Sequence, residues 1–136
     1  MLRIDKRHAD EIIAHAREEY PNEACGILAG TEGVVNQSYR ITNTAKSPFR
    51  YLMDPQEFLN AELDAERRGW DLLAFYHSHT HSPAYPSTTD VRMALQSGWL
   101  DIFYVLVSLE ESADPQLRAF HIEDTGDIVE EELQVV

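Results

Sequence analysis

The chain shows two patterns of apolar residues. One repeats at the spacing of an α-helix and predicts an amphipathic helix over residues 2–20, opened by Ile4 or Asp5 and ended by Pro21. The other is a short apolar or alternating run of strand length. Six segments of this second kind predict strands: residues 24–29, 34–41, 71–76, 102–107, 117–122 and 128–135.

A second helix has a clear start signal at residues 54–57. Asp54 can cap the free amides of the first turn, Pro55 suits the first helical position, and Glu57 completes a capping-box pattern. Gly69 is expected to end this helix. Its apolar side is predicted to consist of Phe58, Leu59, Ala61, Leu63 and Ala65.

A third helix is predicted from the same capping pattern at Ser87-Thr88-Thr89-Asp90, and it stops at Gly98. The order of elements is then helix, strands, helix, strand, helix, strands. An α/β fold in which helices pack against a mixed sheet is the natural architecture for this order. We expect a single domain over residues 1–136, because this length leaves little room for a second core.

The amino-acid composition of the chain argues against several classes of function. The chain has 11 lysines and arginines against 24 aspartates and glutamates, a net charge of −13, which argues against nucleic-acid partners. The acidic stretches at residues 110–111 and 130–132 are read as a solvated face, with a docking surface for a basic partner as the alternative. The chain has no run of 18 or more apolar residues, so the sequence predicts no membrane-spanning helix. The lack of a signal segment and the single Cys25 favour a cytoplasmic protein.

The residues whose side chains could bind a metal or take part in catalysis concentrate between residues 77 and 90. His77 and His79 follow a buried strand and point to the same side of it, because side chains alternate along a strand. Asp90 lies in the first turn of the next helix, where the helix dipole favours an anion. The intervening loop can bring Asp90 to the two imidazoles. On spacing alone, a metal site and a merely structural pair of histidines both remain open.

Two histidines and one carboxylate suit a zinc ion, one per chain, and leave a fourth position for water. An open position is typical of a catalytic site. Bound zinc lowers the pKa of water from ~15.7 to ~7, which corresponds to roughly 12 kcal/mol.

These residues resemble a known family. His77-Ser78-His79 followed by Ser87-x-x-Asp90 is similar to the JAMM motif (His-Ser/Thr-His-Pro, a spacer, Ser-x-x-Asp) of the JAB1/MPN/Mov34 metalloproteases. Residues 20–28 (YPNEACGIL) resemble the upstream segment of that family. The resemblance covers nearly the whole chain and implies the JAB1/MPN fold, a mixed, curved sheet related to that of the cytidine deaminases.

The resemblance assigns roles to individual positions. It implies that His77, His79 and Asp90 hold zinc, that Glu23 acts as general base and then general acid, and that Ser87 stabilises the oxyanion. Without the family, Glu23 would be read as a solvated carboxylate and Ser87 as a helix N-cap.

Some residues depart from the motif or lie close to it. The family usually has proline after the second histidine, where this chain has Thr80, so the loop is expected to be less rigid. His81 is read as a rim residue, with an accessory ligand as the alternative. Cys25 shares a strand face with Glu23 and is expected to be a small core residue rather than a ligand. The other histidines are expected to be structural: His8, His15 and His121.

The resemblance also suggests a substrate class. Eukaryotic family members cleave isopeptide bonds of ubiquitin, whereas this compact chain is similar to short stand-alone members of bacteria and archaea. It implies a peptidase acting at the C-terminal tail of a ubiquitin-like or sulfur-carrier protein, such as a carrier–cysteine adduct, with the tail extended beside a sheet edge. A non-catalytic scaffold of the same fold is the rival. A zinc deaminase would need a Pro-Cys-x-x-Cys motif, and this chain has one cysteine.

Overall fold

The computed structural model describes residues 1–111 and 113–136, which form three helices and eight strands. The helices are α1 (Lys6–Glu19), α2 (Pro55–Arg67) and α3 (Thr88–Ser97). The strands are β1 (Leu2–Ile4), β2 (Cys25–Thr31), β3 (Val34–Ile41), β4 (Asp71–His79), β5 (Phe103–Ser108), β6 (Gln116–Ile122), β7 (Ile128–Glu131) and β8 (Leu133–Val135). No helix among these residues is long and apolar enough to cross a membrane.

All eight strands of the described residues belong to one mixed sheet, in the order β7-β6-β5-β4-β2-β3-β1-β8. The long apolar strand β4 lies in the middle, antiparallel to β2 and parallel to β5. This register places His77 beside Cys25 on one side and beside Leu106 on the other. The predicted central position of this strand is confirmed.

Each face of the sheet has its own core. On one face, Ile12 of α1 belongs to a buried apolar cluster with Tyr76 and Val105. On the other face, Ala61 of α2 and Ala94 of α3 belong to a second cluster. The mixed sheet with packed helices is therefore confirmed, and α2 and α3 cover the face towards which the metal-site residues point.

The first helix does not begin at Leu2 as predicted, whereas Asp5 does open it. Leu2 and Ile4 are buried and Arg3 is exposed, which is the period-two pattern of a strand. These residues form β1, which pairs in parallel with β8 and β3. Asp5 is the N-cap of α1, and its carboxylate accepts from the amide of His8 at 3.0 Å. The local pattern of this segment also fits a helix, and pairing with distant strands makes it a strand instead.

The predicted caps of α2 are confirmed only in part. Asp54 accepts from the amides of the first turn, as expected. Glu57 does not complete a capping box, because its carboxylate accepts from the amide of Thr42 at 2.8 Å. Two of the residues assigned to the apolar side are in fact exposed, Leu59 at 44% and Leu63 at 51%.

The last predicted strand is two strands. β7 pairs with β6 at one end of the sheet, and β8 pairs with β1 at the other. The chain changes partner at Glu132, between them. Because consecutive residues join the two ends of the sheet, the sheet curves until it is nearly closed.

Candidate metal centre

Strand β4 ends in His77-Ser78-His79. β4 runs to His79, three residues further than the sequence predicted, so the alternation of a strand governs all three side chains. His77 and His79 share one face and are buried, with 1% and 4% of their surface exposed. Ser78 points to the other face. The structure therefore brings the two imidazoles together, as predicted.

The third group comes from the first turn of α3. The predicted capping box is present: Ser87 Oγ accepts from the Asp90 amide at 3.0 Å, and the Ser87 amide donates to Asp90 Oδ2 at 2.9 Å. Asp90 is buried, and this double hydrogen bond holds its carboxylate towards the histidines. The same two hydrogen bonds therefore cap the helix and position the carboxylate.

The three groups converge closely enough to share one ion. Asp90 Oδ2 lies 3.1 Å from His77 Nε2 and 3.0 Å from His79 Nε2, and the two nitrogens are 3.3 Å apart. A tetrahedral site with metal–ligand distances of about 2.0–2.1 Å places its ligand atoms about 3.3 Å from one another. His77, His79 and Asp90 therefore form a group that could hold one metal ion, and their geometry and donor types fit zinc.

Contacts with neighbouring residues orient the rings of His77 and His79. His79 Nδ1 donates to the carbonyl of Pro83 at 2.8 Å, so Nε2 is the ring nitrogen that faces Asp90. Tyr51 stacks on the His77 ring at a centroid distance of 4.6 Å. Both rings are therefore fixed by contacts other than a metal.

The charges at the centre complement one another. Burial by itself would raise the pKa of Asp90, but the nearby His77 and His79 imidazoles and the Ser87 amide outweigh burial and hold this pKa well below its ordinary value. Burial likewise acts to lower the pKa of His79, and the hydrogen bonds to Asp90 and Pro83 reverse this effect and raise it. The centre thus keeps Asp90 ionised, as a metal ligand must be.

Glu23 lies directly beside this group. Its backbone amide donates to Ser47 O at 2.9 Å, and Asn43 donates to its carbonyl at 3.0 Å. On the strand side, the Ala24 amide donates to Ser78 Oγ at 2.8 Å, and the Ser78 amide donates back to the Ala24 carbonyl at 3.0 Å. The β2–β4 register, continued by these bonds, places Glu23 opposite His79.

The side chain of Glu23 is buried. It is 3% exposed, and its Oε1 has no hydrogen-bond partner among the described residues. Burial raises the pKa of Glu23 to about 7, because desolvation outweighs the favourable interaction with His77. A carboxyl group with a pKa near neutrality can both accept and return a proton.

Cys25 and His81 have the surroundings that the sequence suggested. Cys25 is buried, donates to Ile41 O at 3.4 Å, and its thiol pKa is raised by burial to about 12. Thr80 is buried, whereas His81 is exposed and shares a hydrogen bond with Tyr20 Oη at 2.9 Å. His15 contacts Tyr76 Oη at 2.7 Å, within the α1 side of the core. Among the described residues, Cys25, His81 and His15 do not belong to the group that could hold a metal ion.

Sequence reasoning missed several residues that build the centre. Ser78 holds β2 against β4, Asn43 fixes the Glu23 carbonyl, and Tyr51 covers His77. Strand alternation could have pointed to Ser78, since it separates two ligands on the opposite face. Nothing local marks Asn43 or Tyr51, because both act from the loop between β3 and α2.

Comparison with known proteins identifies the family. The family described as prokaryotic homologs of the JAB domain matches residues 5–123. The chain belongs to this family. The JAB1/MPN fold is confirmed as well: a JAB1/MPN domain protein from Archaeoglobus fulgidus superposes with a TM-score of 0.64 at 17% identity, covering 99% of each chain, and shows the same fold.

More similar relatives of this JAB-domain chain have sequences that span it almost fully. The CysO-cysteine peptidase of Mycobacterium tuberculosis is 41% identical over 138 residues, which cover all of this chain and 90% of that protein. A desampylase of Haloferax volcanii is 35% identical over 125 residues, covering 87% and 84%. The solution structure of protein DSY2949 from Desulfitobacterium hafniense has a TM-score of 0.88 at 37% identity, covering 100% of this chain and 93% of that one.

Proposed function

We propose that this JAB-domain chain is a zinc peptidase that hydrolyses an amide bond at the C-terminal tail of a ubiquitin-like or sulfur-carrier protein. The observation that carries the proposal is the convergence of two imidazole nitrogens and one carboxylate oxygen at 3.0–3.3 Å, next to a buried, unpaired carboxyl group. A purely structural zinc site would use four protein ligands.

His77, His79 and Asp90 would hold the ion. When bound, zinc supplies Lewis-acid chemistry, lowering the pKa of water and polarising the scissile carbonyl. The protein supplies an anionic ligand that is kept ionised and imidazoles whose free nitrogens already face inward.

Glu23 would move the proton. Its carboxylate accepts the proton of the attacking water and later donates it to the leaving amine, so that amide cleavage yields a carboxylate and a free amine. Burial supports both halves of this transfer, because it brings the pKa of Glu23 to about 7.

Ser87 would stabilise the developing oxyanion. Its oxygen already accepts from the Asp90 amide, so its hydroxyl hydrogen remains available to a substrate oxygen. We expect Ser87→Ala to lower kcat by about 10²–10³-fold, or about 2.7–4 kcal/mol, as for loss of one oxyanion donor. Steady-state kinetics on zinc-loaded protein would measure this.

The matched control is Ser87→Thr, which keeps a hydroxyl and a capping oxygen. Loss of the cap alone lowers stability by about 0.5–2 kcal/mol, which thermal melts of Ser87→Ala would measure separately from its rate constant. If kcat of Ser87→Ala falls less than about threefold, Ser87 is a cap only.

The proposed substrate follows from the relatives and from the shape of the site. One relative is named for a CysO-cysteine substrate and another is a desampylase. β4 itself is covered on both sides, by β2 and β5, so a tail cannot pair with the strand that bears the histidines. The loop between β3 and α2 carries Tyr51 and a short bridge between Asn43 and Met53, and we propose that a flexible tail adds along this extended backbone.

The test is direct. Zinc-loaded protein is incubated with a ubiquitin-like sulfur carrier whose C-terminal glycine is amide-bonded to an amino acid, and release is followed by intact-protein mass spectrometry. We expect release of the amino acid, no release after chelation, and recovery on adding zinc. Failure of stoichiometrically zinc-loaded protein to release anything would exclude this substrate class and favour the non-catalytic scaffold. We place this reaction in the cytoplasm, where the buried thiol of Cys25 stays reduced.

A further inference from the structure

Residues 80–86 join the end of β4 to the start of α3, and we call them the connecting loop. The loop sets where α3 begins and therefore how Asp90 meets His77 and His79. The sequence predicts less rigidity here, because Thr80 stands where the family usually has proline. In the structure, hydrogen bonds from β4, from β5 and from the end of α1 reach this loop.

Ser108, the last residue of β5, makes one of these bonds from a buried position. It is paired with His79 of β4 and is 4% exposed. Its hydroxyl donates to the Ser82 carbonyl at 2.6 Å and accepts from the Glu110 amide at 3.1 Å. A serine hydroxyl has one hydrogen to donate, so these two contacts together fix its orientation. The connecting loop is therefore fastened to the strand that neighbours β4.

The bond at Ser82 reaches His79 through a single peptide unit. Pro83 follows Ser82, and its carbonyl accepts from His79 Nδ1 at 2.8 Å. The carbonyls of Ser82 and Pro83 are thus consecutive, and the proline ring restricts the rotation between them. The Leu109 amide also donates to the His79 carbonyl at 2.9 Å. The end of β5 therefore holds the backbone of His79 and, through Ser82, the carbonyl that orients its ring.

The contacts at the start of the connecting loop lie nearer the surface. The hydroxyls of Thr80 and Tyr20 lie 3.0 and 2.9 Å from the ring nitrogens of His81, and His81 is exposed. Water can replace the partners of an exposed ring, so these contacts restrain the loop less than a buried hydrogen bond does. Ser108 therefore supplies the buried anchor that comes from outside the group of His77, His79 and Asp90.

We propose that Ser108 is a positioning residue of the metal centre. Its hydroxyl holds the connecting loop in the place from which the Pro83 carbonyl orients the His79 ring. Ser108 thereby restricts, from the neighbouring strand, a loop that has no proline directly after the second histidine. The inference rests on the proposed function, because it requires that His79 binds zinc together with His77 and Asp90.

The test measures the zinc affinity of the folded protein. Metal-free protein is titrated with zinc against a chromophoric chelator, well below the melting temperature of every variant. We expect Ser108→Ala to weaken zinc binding about tenfold, because loss of a partner that orients a metal-binding histidine typically costs about 10–100-fold. A side chain that only stabilises the fold would lower the melting temperature and leave this affinity unchanged.

Ser97→Ala is the matched control. The Ser97 hydroxyl also donates to a backbone carbonyl, that of Ala94 at 2.9 Å, and accepts from the amide two residues further on, that of Trp99 at 3.2 Å. Ser97 lies at the opposite end of α3 from Asp90. Its replacement removes the same pair of hydrogen bonds away from the connecting loop and should keep the zinc affinity of wild type.

Thr80→Pro tests the mechanism by rescue. Among the described residues the Thr80 amide donates to no group, so proline removes no backbone hydrogen bond there. His79 ends a strand, and extended backbone suits the residue before a proline. In the Ser108→Ala background, Thr80→Pro should restore most of the lost zinc affinity, because proline limits the conformations open to the connecting loop.

The His79 Nδ1 proton supplies a spectroscopic readout in the zinc-loaded protein. Its exchange with water, followed by NMR, should be faster in Ser108→Ala than in wild type and slow again in the double variant. Wild-type affinity in Ser108→Ala, or no recovery in the double variant, would overturn the inference and leave the proposed function standing. Failure of wild type to bind zinc would remove both.

Discussion

Replacing Glu23 by glutamine should lower kcat by about 10²–10⁴-fold while the protein keeps its zinc, since a general base contributes about that factor. The amide side chain has nearly the same shape but cannot accept the proton of the attacking water. Glu23 is not one of the three groups that converge on the ion, so metal affinity should be unchanged. Zinc per chain by elemental analysis and kcat on a carrier–amino-acid adduct would measure the two effects separately.

The fold should tolerate this substitution. Burial raises the pKa of Glu23 to about 7, so the ionised carboxylate is disfavoured at this position. A neutral side chain should therefore not destabilise the fold. Glu66→Gln makes the same chemical change at an exposed position of α2 and should leave kcat unchanged. Full activity of Glu23→Gln would show that another group carries the proton.

Replacing Asp90 by alanine should abolish zinc binding and, with it, activity. The substitution removes the anionic ligand and leaves only the two imidazoles of His77 and His79 at the centre. Wild type should therefore melt at a lower temperature after chelation, because an ion bound only to the native state stabilises it, whereas the melting of Asp90→Ala should not respond to chelator. Elemental analysis together with paired melts would show both effects.

A second variant separates metal binding from helix capping. Asp90 also accepts from the Ser87 amide, so alanine removes a cap as well as a ligand. Asp90→Asn keeps an oxygen that can accept this bond but lacks the negative charge. It should fold like wild type without metal and still fail to retain zinc. A stoichiometric ion in purified Asp90→Ala would refute the assignment of this ligand.

The convergence of His77, His79 and Asp90 could be predicted because strand alternation and helix capping are local rules. His77 and His79 are two residues apart on a strand, and Asp90 stands three residues after a serine N-cap. The structure contains both arrangements. The element boundaries were less predictable where the local pattern fits two structures, as at Leu2 and Ile4, whose strand depends on pairing with β8.

Residues that act through long-range register could not be predicted from physical pattern alone. Glu23 is one of 24 acidic residues, and only the family resemblance singled it out. Its place opposite His79 depends on how β2 pairs with β4. In the same way, Glu57 bonds to Thr42 instead of closing its own capping box, because the end of β3 brings a free amide within reach.

The serine between the two histidines has a consequence for how the centre moves. Two main-chain segments, one bearing the ligands and one bearing Glu23, are fastened at Ser78 by a pair of hydrogen bonds. Thermal fluctuations should therefore displace the two histidines and Glu23 together, as one rigid body, and hardly change their separation. The alignment that each catalytic cycle requires is then established once, when the chain folds, and incoming substrate does not have to create it.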